Sequence, residues 1–126
     1  MYKILVVDDE TNIRKLIAKY ASFEGYQVEE ASNGEAAVGL CRSGAFDLIV
    51  MDIMMPELDG KEASRKIRSM ADQREDAAEI PILAMTAQAS TESIHQCKSA
   101  GMNECIFKPV NAKELIRLLQ DIVAKI

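Results

Sequence analysis

The sequence predicts an α/β domain: a parallel five-stranded sheet covered by helices on both faces. Three observations predict it. Five short apolar runs alternate with five segments of helical period, and strict alternation of this kind builds a parallel sheet. Three of the runs, Lys3–Val7, Phe46–Met51 and Pro81–Met85, are the most apolar, as strands covered on both faces must be. The 126 residues suffice for one core and not for two ordinary ones, so 1–126 reads as one domain. Right-handed crossovers leave few topologies, and the three most apolar strands belong at the centre.

Each element has its own signal. Lys3–Val7 is the first strand. Ile13, Leu16, Ile17 and Tyr20 then recur at helical spacing, with Thr11 or Asn12 as the cap and Gly25 as the stop. Tyr26–Glu30 alternates and reads as a more exposed strand. Ser32, Asn33, Gly34 and Glu35 make a turn and a helix start. Ala36, Ala37, Leu40 and Cys41 give that helix a small apolar face, and Gly44 closes it. Phe46–Met51 is the third strand and Gly60–Met70 the third helix, with Ala63 and Ile67 inward. Ala71–Glu79 is polar and charged; it either extends that helix or forms a loop. Pro81–Met85 is the fourth strand. Ser90–Ala100 is a weaker helix with Ile94 and Cys97 inward, stopped by Gly101. Glu104–Phe107 is the fifth strand. Pro109 and Asn111 introduce the last helix, where Leu115, Leu118, Leu119 and Ile122 share one face.

The chemistry-bearing residues sit where strands end. Leu5-Val6-Val7 stops on Asp8-Asp9, the third strand stops on Asp52, the fourth on Thr86, and Cys105-Ile106-Phe107 on Lys108. Open α/β sheets bind ligands beyond the carboxyl ends of their strands. That rule gathers three acids, a hydroxyl and a lysine at one edge. Three carboxylates about 5 Å apart at an effective dielectric near 20 repel by about 3 kcal/mol per pair. A divalent cation and the Lys108 ammonium balance them, and hard oxygen ligands that leave room for water favour Mg²⁺ over zinc or copper. A metal, a lysine and a carboxylate suit phosphoryl transfer, with a carboxylate able to act as the nucleophile. Taken singly, Asp8 or Asp9 could instead cap the following helix, and Thr86 and Lys108 could be ordinary strand-end groups.

Other classes are disfavoured. The net charge of −5 argues against general nucleic-acid binding. No run approaches a membrane span. The start, Met1-Tyr2-Lys3-Ile4, runs straight into a strand without a signal-peptide pattern, so a cytoplasmic location is expected. Cys41, Cys97 and Cys105 lack metal-ligand spacing and read as buried apolar residues. His95 lies on a helix, away from the strand ends, and reads as a surface or partly packed group. Neither GxxxxGK[ST] nor GxGxxG occurs, so no nucleotide-cradling loop is evident.

Taken together, Val6-Val7-Asp8-Asp9-Glu10, Asp52 with Met55-Pro56 and Asp59-Gly60, Thr86-Ala87, and Lys108-Pro109 resemble the receiver domains of two-component response regulators. The resemblance spans essentially the whole chain. It implies a flavodoxin-like fold with strand order 2-1-3-4-5. It implies Asp52 as phosphoacceptor, fed by a sensor histidine kinase or a histidine phosphotransfer protein. It implies Mg²⁺ held by Asp9, Asp52 and the Met54 carbonyl, with Asp8 acting mostly through water. Thr86 and Lys108 would contact the phosphoryl oxygens, and the Lys108-Pro109 bond would be cis. The expected role is a signalling switch rather than an enzyme, limited to its own phosphotransfer and autodephosphorylation. Its expected partners are a downstream output domain or protein and, as an open alternative, a phosphorylation-dependent homodimer; neither nucleic acid nor membrane is expected to bind this domain.

Two departures from the family pattern stand out. Cys105 occupies a position that is commonly aromatic, so the signal is expected to travel by loop and helix movement without an aromatic rotamer switch. Asp72-Gln73-Arg74-Glu75-Asp76 is a longer charged stretch than usual, read as a solvated helix end. Met54 and Gln88 lie two residues beyond Asp52 and Thr86 and are expected to set phosphoryl lifetime. The rivals are a Mg²⁺-dependent phosphatase with a nucleophilic aspartate and an unphosphorylated interaction module.

Overall fold

A computed structural model describes residues 2–44, 46–55, 57–70, 80–87 and 90–125. The expectations for Pro56, Gln88 and the 71–79 stretch lie outside these residues. Five strands, β1 (Lys3–Val7), β2 (Gln27–Ala31), β3 (Leu48–Asp52), β4 (Ile82–Thr86) and β5 (Glu104–Phe107), alternate with five helices. The helices are α1 (Thr11–Phe23), α2 (Gly34–Ser43), α3 (Gly60–Ser69), α4 (Thr91–Ser99) and α5 (Ala112–Ala124). The strands form one parallel sheet in the order β2-β1-β3-β4-β5. The three most apolar strands are therefore central, as expected.

The pleat divides the core. Ile4, Val6, Leu48, Val50, Leu83, Met85 and Ile106 meet α1 and α5 on one face. Leu5, Val7, Ile49, Met51, Ile82 and Ala84 meet α2, α3 and α4 on the other. Successive strand residues point to opposite faces, so a strand covered twice must be apolar throughout. Each fully buried Leu or Ile contributes about 1.5–3 kcal/mol by leaving water.

Several local expectations shift. The α1 N-cap is Glu10, in extended conformation and without a side-chain cap bond; neither Thr11 nor Asn12 serves. The reason lies in the preceding loop, where Asp8 Oδ1 accepts the Glu10 N–H at 2.9 Å and fixes the turn one residue earlier. In α2 the buried residues include Val38 rather than Ala36, which is exposed. β3 and β4 each start later than expected and run one residue further, so Asp52 and Thr86 are the last strand residues rather than loop residues. Asn33, Asp59, Ser90 and Asn111 cap α2, α3, α4 and α5, each accepting a backbone N–H three residues on. Gly25 and Gly101 stop α1 and α4 at φ 87° and 95°, where a β-carbon is disfavoured.

Candidate functional site

The parallel topology puts every strand's carboxyl end on one edge. There Asp8, Asp9 and Asp52 each offer a carboxylate oxygen, all within 4.8 Å of one another. Asp8 and Asp52 are buried and Asp9 is exposed. Lys108 Nζ lies 3.1 Å from Asp52 Oδ1 and 3.5 Å from Asp8 Oδ2. Thr86 is buried, and its carbonyl accepts the Lys108 N–H at 2.9 Å. The three acids and Lys108 thus converge, Thr86 ends the adjacent strand at the same edge, and Met54 joins them through its backbone N–H, which donates to the Asp52 carboxylate. The Lys108-Pro109 peptide is cis, as the resemblance implied.

Burial dominates the electrostatics. Asp52 is pushed up to about 6, first by desolvation and then by Asp8, against the opposing pull of Lys108 and the Met54 N–H. Desolvation also raises Asp8, against the Glu10 N–H and Lys108. Lys108 loses some basicity to burial, but Asp52 and Asp8 more than restore it and hold it above its ordinary value. One lysine faces two buried acids and one exposed acid, so the pocket lacks positive charge. Asp8 Oδ2 is buried and has only the long 3.5 Å approach of Lys108, among the described residues, to satisfy it. A buried oxygen of that kind needs a partner, and a hard cation or its bound water supplies one. Three clustered carboxylates are the oxygen donors that Mg²⁺ takes. The residues present therefore fit that ion.

Backbone packing fixes the loop after β3. A β-carbon on Gly60 would lie 2.2 Å from the Asp52 carbonyl oxygen, and one on Gly34 would lie 2.4 Å from the Leu58 carbonyl oxygen. Gly60 N–H bonds the Ile53 carbonyl at 2.9 Å. Glu57, within that loop, takes a left-handed φ of 66°. Sequence reading missed two supports. Arg14 Nη1 donates to the Asp8 carbonyl at 2.9 Å while its Nε bonds Glu30 Oε1 at 3.0 Å. A cavity of about 150 Å³ lies beside Thr86, between the start of α3 and α4; Met54, Lys61 and Gln96 help to line it. Arginine and glutamine on helical turns carry no local pattern that announces such contacts.

Among the other expected features, Cys41 and Cys97 are buried and Cys105 is half-buried; all three are thiols outside any disulfide. Met51 and Met55 pack in the core, whereas Met54 stands exposed. His95 is exposed on α4, away from the acids.

Fold and pocket together define a doubly wound α/β domain with an acid-and-lysine centre at the carboxyl edge of its sheet. A family model described as the response regulator receiver domain matches residues 4–120, and the chain belongs to that family, whose members are phosphorylation-activated signalling switches of two-component systems. It is 38% identical over 114 residues to the transcriptional regulatory protein ResD of Bacillus subtilis, covering 90% of this chain and 45% of ResD. Among solved structures, chemotaxis protein CheY4 of Vibrio cholerae superposes with a TM-score of 0.89 at 31% identity, covering 97% of this chain and 98% of that one. The receiver domain of sensor histidine kinase PA1611 from Pseudomonas aeruginosa, with a magnesium ion coordinated in its active site cleft, superposes at 0.86 with 34% identity and 98% coverage of both. The chain spans about half the length of the curated relatives it matches. No helix among the described residues is long and apolar enough to cross a membrane.

Proposed function

We propose that Asp52 is the phosphoacceptor of this receiver domain. The observation that carries the reading is the cluster of Asp8, Asp9 and Asp52, with Lys108 3.1 Å from the Asp52 carboxylate. Asp9, Asp52 and the Met54 carbonyl would hold Mg²⁺, and Asp8 would hold it through water. When bound, the ion supplies charge neutralisation for the transferring phosphoryl group.

The chain's own residues do the rest. The Asp52 carboxylate, oriented by the Met54 N–H and Lys108, attacks the phosphorus of a phosphohistidine on a sensor kinase or a histidine phosphotransfer protein. The Asp52 oxygen–phosphorus bond forms and the histidine nitrogen leaves. Lys108 pairs with a phosphoryl oxygen, and the Thr86 hydroxyl moves to bond another. That movement draws on the cavity beside Thr86 and biases α4 and the loops around it. With Cys105 in place of an aromatic, the signal passes to an output domain or protein, or to a second copy of the chain, through backbone and helix displacement. Slow loss of the phosphoryl group to water resets the switch.

Phosphorylation by acetyl phosphate, read by intact-protein mass, tests this. The wild type gains one phosphoryl group only with Mg²⁺ present, and Asp52→Asn gains none. Equal uptake by both proteins refutes the assignment. Sustained turnover of a small phosphoester would point instead to a phosphatase.

A further inference from the structure

The chain has seven methionines and three cysteines. Six of the methionines lie among the described residues. Met51, Met55, Met70, Met85 and Met102 are no more than 8% exposed, and Met54 is 73% exposed. The cysteines are poor competitors for an oxidant. Cys41 and Cys97 are buried. Burial, and then neighbouring Cys97, push the Cys105 thiol up to about 11, so at neutral pH it offers almost no thiolate, the form that reacts. A thioether needs no deprotonation. It needs only access.

Met54 is the one well-exposed methionine among the described residues, and its position is informative. Met54 lies two residues after Asp52, and its N–H bonds the Asp52 carboxylate. Its residue lines the cavity shared with Thr86, Lys61 and Gln96. An apolar thioether at that mouth offers water only a weak acceptor. A sulfoxide oxygen there accepts hydrogen bonds and retains water.

We propose that, among the described methionines and the three cysteines, Met54 is the sulfur that peroxide oxidises first, and that its sulfoxide is a reversible modification that shortens the life of a phosphoryl group on Asp52. The second half rests on the role proposed for Asp52. The step balances: the sulfur lone pair attacks one peroxide oxygen, the O–O bond breaks and an S–O bond forms. Sulfur gives up two electrons, and the other oxygen takes a proton and leaves as water. Methionine sulfoxide reductases reverse it.

Hydrogen peroxide titration with tandem mass spectrometry tests the site. The expected result is oxygen on Met54 before any other described methionine or any cysteine. Protein phosphorylated with acetyl phosphate then tests the consequence. The oxidised form should lose its phosphoryl group about two- to tenfold faster, the range that one net hydrogen bond spans. Reductase treatment should restore the original rate, and peroxide should leave the lifetime of Met54→Leu unmoved. Oxygen appearing first on Met51, Met55 or a cysteine overturns the site. Equal lifetimes of oxidised and repaired protein overturn the regulation. If Asp52 takes no phosphoryl group in either form, the proposed function fails and takes the regulatory half with it, while the oxygen map still decides the site.

Discussion

Removing the charge of Asp52 should stabilise the metal-free domain, and the gain should depend on pH in one direction. Asp52 titrates in the folded protein at about 6, against 3.8 when unperturbed. The folded state thus holds the proton more tightly than the unfolded chain. Below about pH 4 both states are protonated and the group costs nothing. Between about pH 4 and 6 the unfolded chain has released its proton and the folded protein has not, so stability falls as pH rises. Above about pH 6 the loss is complete. Two pKa units at about 1.4 kcal/mol each put it on the order of 3 kcal/mol. Asp52 is 2% exposed, so solvent screens little of it. Asp8, also raised, adds in the same sense. Urea unfolding in EDTA from pH 4 to 7.5 measures this. Wild type and Asp52→Asn should coincide near pH 4 and diverge until the variant leads by about 3 kcal/mol at pH 7. Added Mg²⁺ should close the gap by stabilising the wild type alone, by about 2.7 kcal/mol at a hundredfold excess over its Kd. A gap that stays flat with pH, or a variant less stable at pH 7, refutes the argument that burial strains this carboxylate.

Three further perturbations follow. Lys108→Met removes the only cation that the described residues bring to the acids; the metal-free pH transition should move above 6, as read by the same unfolding series. Gly60→Ala places a methyl 2.2 Å from the Asp52 carbonyl oxygen. It should cost about 1–3 kcal/mol, the usual penalty for overpacking, and should slow phosphoryl uptake by acetyl phosphate. Arg68 donates to the Gly101 carbonyl at 3.1 and 2.6 Å and to Asn103 Oδ1 at 2.9 Å. Arg68→Met should cost about 1–3 kcal/mol and speed amide exchange at 100–103 while leaving β1 protected; unchanged exchange there would show that the clamp holds nothing.

What the sequence made legible follows from locality. Each strand end is a local signal, an apolar run that stops on a polar residue, and the parallel topology turns five such signals into one site without further information. Asp8, Asp9, Asp52, Thr86 and Lys108 were therefore readable, and the gathered side chains lie where that topology requires. The strand order needed the family resemblance, because periodicity says which strands are buried but not which neighbour each takes. The cap of α1 was misread because Thr11 and Asn12 are good caps in isolation. Asp8 overrides them by bonding the Glu10 N–H, a contact set by the site rather than by helix propensity. Arg14 and Arg68 were invisible for another reason. Their partners are backbone carbonyls brought near by the fold, and a carbonyl leaves no mark in a sequence.

The pocket's electrostatics explain why a domain this small can act as a switch. Asp8 and Asp52 are buried together with only Lys108, among the described residues, to balance them, an arrangement that opposes folding at neutral pH. The two packed faces of the sheet offset it. A site that costs stability when empty gains it when charge-balanced, so whatever binds there shifts the ensemble by its differential affinity. An aspartyl phosphate would add further negative charge at the same point. Lys108, the nearest cation, would then reorganise, and the Thr86 hydroxyl on the adjacent strand end with it. Thr86 borders a cavity, so its displacement has open volume on that side. Strain at Asp52 and open volume at Thr86 are thus two halves of one requirement: a group that is uncomfortable in its resting charge state, and a neighbour with room to respond.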